Sequence, residues 1–317
     1  MKAIKRGLLT RIAVPAVSLL ALVGLVLSGP QAAWAKHHSK DSEDGPDPTA
    51  VTACGTLSGG DTIYYLTADL TETGTGTCIT LSGTGSALLL NGHTISGPGG
   101  SSTGDGIHIT GTSDVIEGFN GTVQGFEIGI IDTGGGSVGD DFNVTDNVTG
   151  LELNSTATTR FVNFSSFDNT GNGVLIDDCG EHCSVLDFSS TDNGANGVLI
   201  EGSTFPLADV FVTTGNTGAG VFVGGTGTGP RNTHAVIADA FTSAPVGVSD
   251  NTSYGIVIGT SDATSNDFVT TVEADDNLID LYDENSTCGD DLWFNNSFTS
   301  SKAGTVTSPA CIGGIGS

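Results

Sequence analysis

Phe164-Ser165-Ser166-Phe167-Asp168-Asn169-Thr170-Gly171-Asn172-Gly173-Val174-Leu175-Ile176-Asp177 returns 24 residues later as Phe188-Ser189-Ser190-Thr191-Asp192-Asn193-Gly194-Ala195-Asn196-Gly197-Val198-Leu199-Ile200-Glu201. The beat is general. A glycine that opens a short aliphatic strand recurs at Gly106, Gly129, Gly150, Gly173, Gly197, Gly220 and Gly255, at intervals of 23, 21, 23, 24, 23 and 35 residues. Fixed periods of this length mark solenoids, in which one unit cannot bury its apolar face alone and stacks on a neighbour. Each unit is rich in Val, Ile, Phe and Thr and broken by Gly, Asn and Asp, so it is built from strands and turns.

Two further columns keep step. Asn147, Asn169, Asn193, Asn216, Asn251 and Asn277 precede successive strands, and Phe142, Phe164, Phe188 and Phe211 lie five residues before the first four. Columns in phase mean that equivalent residues stack from coil to coil, at the parallel-strand spacing of about 4.8 Å. Phe is expected inside, and Asn is expected to bond its copies and the turn backbone. The predicted fold is all-β, a right-handed parallel β-helix of roughly nine or ten coils spanning residues 53–317, with a closing segment from about residue 286.

The chain ends carry other signals. Lys2, Lys5, Arg6 and Arg11 precede the apolar run 12–28, and Ala33-Trp34-Ala35 fits a small-residue cleavage site, so residues 1–35 read as a signal peptide. Pro15 and the absence of a second apolar stretch argue against a membrane span. Residues 36–52 are polar, acidic and proline-bearing and are expected to be a disordered leader. A secreted or periplasmic protein at the cell exterior follows.

The chain carries 9 basic and 36 acidic residues, a formal charge of −27, and residues 1–35 hold four of the basic ones. Such a surface excludes nucleic acid and anionic membrane as partners. It also disfavours polyanionic glycans. The six cysteines, expected to pair by neighbours as Cys54–Cys78, Cys179–Cys183 and Cys288–Cys311, suit disulfides in an exported protein.

Asn91-Gly92-His93-Thr94-Ile95-Ser96-Gly97, Gly121-Thr122-Val123-Gln124-Gly125-Phe126, the Gly-Ile-x-Ile repeats and Cys288…Leu292-Trp293-Phe294-Asn295-Asn296…Cys311-Ile312 resemble exported right-handed β-helix proteins of the pectin-lyase-like superfamily. The resemblance covers nearly all of residues 54–312 and implies fold rather than activity, since that superfamily holds lyases, hydrolases, epimerases and adhesins. Its catalytic motifs do not carry over. There is no Asn-Thr-Asp, Asn91-Gly92-His93 is not Gly-His-Gly, and Arg160 and Arg231 are the only arginines beyond residue 35.

Other constellations remain as candidates. The fourth residue after each repeat glycine gives a column holding Asp177 and Glu201, stacked carboxylates at about one coil spacing, as a retaining glycosidase needs. Asp178 and His182 adjoin them as further catalytic candidates. The turn aspartates Asp146, Asp168 and Asp192, continued by Asp250 and Asp276, form a column that suits calcium as the one candidate cofactor. The long interval after Gly220 places Arg231 and His234 on an insertion expected to contact substrate. The outward column His108, Ile131, Glu152, Leu175, Leu199, Phe222, Val257, closing at Asp280, reads as an apolar stripe for sugar rings or for self-association through Leu199 and Phe222. The expected role is glycan-binding or structural, with a polysaccharide or cell-surface glycan as partner. The alternative is a polysaccharide-acting enzyme, hydrolase before lyase.

Overall fold

The computed structural model describes residues 47–99, 103–180, 182–224, 234–238, 246–259, 267–284, 291–298, 300–303, 306–307 and 312–316. It is a right-handed parallel β-helix of about nine turns. Each coil visits three faces in order. In one coil Thr159–Phe167 crosses the first and second faces, and Val174–Asp177 forms the third. The next coil repeats this with Cys183–Thr191 and Val198–Glu201, in register at Phe164↔Phe188 and Ile176↔Ile200. Every described pairing is parallel except Ser301–Ala303 with Val306–Thr307. Among the described residues no helix is long and apolar enough to cross a membrane.

The columns explain why this sequence closes on itself. Side chains alternate inward and outward along each short strand, so Val174 and Ile176 are fully buried while Leu175 and Asp177 are half-buried. The phenylalanines form one continuous interior stack. Phe142–Phe164, Phe164–Phe188 and Phe188–Phe211 have ring centroids 5.2, 5.0 and 5.1 Å apart. All four are at most 5% exposed. Face-on rings at coil spacing gain area burial together with pair attraction.

The asparagines make the second ladder. Nδ2 of Asn169, Asn193, Asn216 and Asn251 donates to Oδ1 of the Asn one coil on, at 2.9, 2.9, 2.9 and 3.0 Å. The same Oδ1 atoms accept the backbone N–H of the preceding coil's Asn, and Nδ2 also reaches a strand carbonyl, as in Asn216 to Ser190 at 3.0 Å. At the repeat glycines a Cβ would collide with atoms of the neighbouring coil, the ladder amides among them at several positions. A Cβ at Gly173 would lie 2.6 Å from Nδ2 of Asn193, and one at Gly197 would lie 2.9 Å from that of Asn216.

Two expectations change. The helix begins at Thr49 rather than 53. Thr49–Val51 already pairs with Ile63–Leu66, because Val51 alternates into the core at 4% exposure. The outward column runs on to Tyr282 and then Lys302 rather than to Asp280, since Val257 pairs with Tyr282 and Tyr282 with Lys302. Asp280 takes the glycine position instead, and its buried carboxylate closes the Asn ladder by accepting Nδ2 of Asn277 at 3.1 Å. Residues 1–46 and the 225–233 insertion lie outside the described residues, as does the Cys288–Cys311 pair. Cys54–Cys78 is bonded and links the first two coils, and Cys179–Cys183 is bonded across a tight loop.

Replacing Phe188 by Ala removes the centre of the ring stack and is expected to cost about 3–5 kcal/mol. Equilibrium denaturation with unchanged m would show it, and a loss below about 1 kcal/mol would mean the stack is not a packed core.

Candidate functional site

The first and second faces meet at a bend inside each long strand. The bend residue is left-handed: Asn120, Asp141, Asn163, Asp187 and Val210 have φ of 61, 55, 51, 51 and 50°. Asn and Asp tolerate this region best, and their placement just before the Phe column is why the strand turns there. The bend hollows the outer surface into a groove of about 350 Å³. It is lined by the five bend residues and by Asn143, Ser165, Ser189 and Val212, with the phenylalanine column at its base. The same polar rung, an amide or carboxylate followed two residues on by Asn or Ser, thus repeats on successive coils.

A pair of carboxylates on the first face adjoins Asp141, which lines this groove. Glu117 and Asp140 are register partners on adjacent strands of the first face, with Asp141 next in the chain. Burial pushes the Glu117 carboxyl up to about 7, and repulsion from Asp140 and Asp141 adds to it. Burial also raises Asp140, opposed by a hydrogen bond from Asn163 and by the Arg160 guanidinium. One oxygen of Asp140 and Nε of Arg160 are buried without a hydrogen-bond partner. A carboxylic acid beside an ionisable carboxylate can give and take a proton.

The sequence-derived candidates lie elsewhere. Asp177 and Glu201 are indeed register partners, on the third face. Both carboxyls are raised, first by burial, then by Asp178 for Asp177 and by Asp177 for Glu201. Glu152 on the coil before is raised to about 7 by burial and by Asp177. Asp178 is an exposed left-handed turn residue, φ 50°. His182 belongs to another ladder, its ring stacked on Phe205 at 5.5 Å, with His234 on the other side of Phe205 at 4.7 Å. Leu199 and Phe222 are register partners in the outward column, half-buried rather than bare. Arg231 lies outside the described residues.

The turn aspartates Asp146, Asp168 and Asp192 are placed one per coil, each left-handed with φ of 55, 55 and 56°. Asp250 and Asp276 continue them, and Gly125 and Gly215 fill the same position elsewhere with φ of 78 and 70°. Glycine as the alternative identifies a backbone requirement. Among the described residues no three His, Cys, Asp or Glu side chains converge as a metal cluster would require.

Sequence reasoning did not pick out Glu117, Asp140 or the bend column. The signal was present as a polar residue directly before three of the four phenylalanines: Asp141-Phe142, Asn163-Phe164 and Asp187-Phe188.

No family model and no curated protein matches this chain. Two solved structures are similar in fold. One is the Dettilon tailspike protein gp208, at TM-score 0.59 and 12% identity, over 81% of this chain and 54% of that one. The other is the pectate lyase Pel9A, at TM-score 0.52 and 15% identity, over 81% of this chain and 70% of that one. The chain therefore spans about half the length of the tailspike it resembles.

Asp168→Gly is expected to hold or raise stability, by up to about 1 kcal/mol, because it relieves a left-handed non-glycine residue. Melting the variant and the wild type in calcium and in sodium at matched ionic strength checks this. A calcium-specific rise present only in the wild type would restore a cation role to the column.

Proposed function

We propose that this chain is an exported β-helix protein that binds a neutral polysaccharide along the groove at the bend of its first and second faces. The observation that carries this reading is the repetition of one polar rung, Asn120, Asp141-Asn143, Asn163-Ser165 and Asp187-Ser189, on successive coils. A repeated row of amides, carboxylates and hydroxyls offers a polymer of hydroxylated rings the same partners at each step. The charge of −27 favours neutral over anionic glycans. Export is supported by the character of residues 1–35 and by the Cys54–Cys78 and Cys179–Cys183 disulfides. The folds of a tailspike protein and of a pectate lyase are consistent with a polysaccharide-related role.

A second reading, hydrolysis, is favoured by Glu117 and Asp140. Register partners on adjacent parallel strands stand about 4.8 Å apart. That is near the separation of about 5–5.5 Å that a retaining mechanism uses. Glu117, held protonated to about pH 7, suits the acid. Asp140 takes the nucleophile's place: burial raises its carboxyl too, and the Asn163 hydrogen bond and the Arg160 guanidinium offset part of that rise.

Binding is tested by affinity electrophoresis of residues 36–317 in a panel of neutral and acidic polysaccharides. Asn163→Gly and Asp187→Gly keep the bend backbone and remove the rung, and each is expected to weaken retention roughly tenfold. Unchanged retention in the double variant would refute the groove.

Hydrolysis is tested in the same panel by release of reducing ends. Glu117→Gln is expected to lower the rate at least about 100-fold while retention persists. Because the protonated form of Glu117 is lost as pH rises through about 7, the wild-type rate should fall on that limb. A flat profile from about pH 5 to 9 would remove Glu117 from the role.

A further inference from the structure

One or two residues before each first-face strand, the turn holds an equivalent position, occupied by Asp61, Gly85, Ser113, Gly136, Thr158, His182, Phe205 and His234 in successive coils. All but Thr158 are left-handed, with His182, Phe205 and His234 at φ of 54, 52 and 59°. In the earlier coils the position is small or polar. A phenylalanine there is unusual, and bulky left-handed residues persist where something over-determines them. Phe205 is also 43% exposed. Burial of these rings in a core therefore does not account for them.

The three rings stack with interplanar angles of 24 and 19°. One end of the stack is blunt. On the side of His182 away from Phe205, the equivalent positions of the two preceding coils are Thr158, exposed and without a ring, and Gly136, without a side chain. Among the described residues no ring lies on that face of His182, and the two coils beyond it span about 10 Å at the coil spacing. His182 is tied to both neighbouring coils. Gly180 N–H donates to the Ser155 carbonyl at 2.8 Å, His182 N–H donates to the Thr204 carbonyl at 3.3 Å, and Cys179 is bonded to Cys183. Hydrogen-bonding groups adjoin it: exposed Thr158 one coil before, exposed Thr156 in the same turn as Thr158, and exposed Asp178 on the loop of His182.

We propose that the free face of His182, above Thr158 and Gly136, seats one neutral pyranose ring as the next member of the stack, forming a sugar contact separate from the groove. The apolar face of the sugar meets the imidazole, and its hydroxyls meet Thr156, Thr158 and Asp178. This rests on the glycan reading for its ligand class only. The seat lies in the turn between the third and first faces, whereas the groove lies at the bend between the first and second.

The test uses residues 36–317 and three neutral probes, cellohexaose, xylohexaose and mannohexaose. Imidazole C–H resonances are followed through the titration, and His182→Ala assigns the His182 signal among the six histidines. At least one probe is expected to shift that signal saturably. Thr158→Phe, which crowds that face with a ring of the protein's own, should lower this affinity roughly tenfold while leaving groove retention intact. Phe205→Gly should lower it too while melting at the same or a higher temperature, because the left-handed strain is relieved.

A Thr158→Phe protein that still shifts His182 with wild-type affinity overturns the seat. So does a still His182 signal at probe concentrations that saturate the groove, and the groove reading then survives alone. A His182 shift that persists when Asp187→Gly has no effect on any retention supports the seat and overturns the groove. Probes that bind at neither place overturn both.

Discussion

The structure depends on one constraint: amides buried in the turns have no water, so each must be satisfied by its copy in the adjacent coil. Asn169, Asn193, Asn216 and Asn251 are at most 2% exposed and hand their bonds along the axis. A buried polar group left unpaired costs about 1–3 kcal/mol, so a slip of one residue in any coil would break the chain of bonds on both sides. The ladder therefore enforces register. The phenylalanine stack and the glycine beat follow from it, since rings at 5.0–5.2 Å and glycines beneath the next Asn exist only while every coil is in phase.

Register has an electrostatic consequence. Once coils are locked, acidic residues at one position of the repeat become neighbours at coil spacing, whatever their separation in the chain. Glu117 with Asp140, and Asp177 with Glu201, are brought together in this way, and burial with carboxylate repulsion raises all four carboxyls. Elsewhere the same geometry is harmless. The turn aspartates are exposed to water, whose high dielectric keeps repulsion at this spacing to about 1 kcal/mol. Solvent access separates the two cases, more than the spacing does.

How much was legible in the sequence follows from how each column encodes itself. Phe142, Phe164, Phe188 and Phe211 repeat one residue type with one meaning, as do the asparagines, so fold and core could be read directly. The Asp177/Glu201 pair was legible because both follow a repeat glycine by four residues on strands with no irregularity between them. Glu117 and Asp140 were not. The strands carrying them shift register, so that Glu117 faces Asp140 while Gly121 faces Phe142, and counting from any shared residue fails. The turn aspartates carry a second signal that the sequence does not show. Their φ angles, with Gly125 and Gly215 at the same position, mark a left-handed backbone requirement at that turn. His182 and His234 were visible as isolated histidines. Their relation through Phe205 needed the coil register.

A surface built this way suits a repeating ligand. In a globular site, residues from unrelated loops converge on one small molecule, and recognition is local. Here the rungs Asn120, Asp141, Asn163 and Asp187 are nearly the same chemistry translated along an axis. A single monomer meets one rung and gains little. A polymer that lies along the axis meets several, and each contact after the first is made at high effective concentration. The column changes character at Val210 and Val212, where the rung becomes apolar, so the polar run has an end. On the proposed reading, the number of coils that keep an amide or carboxylate at the bend, rather than the length of the solenoid, sets how many ligand units are engaged.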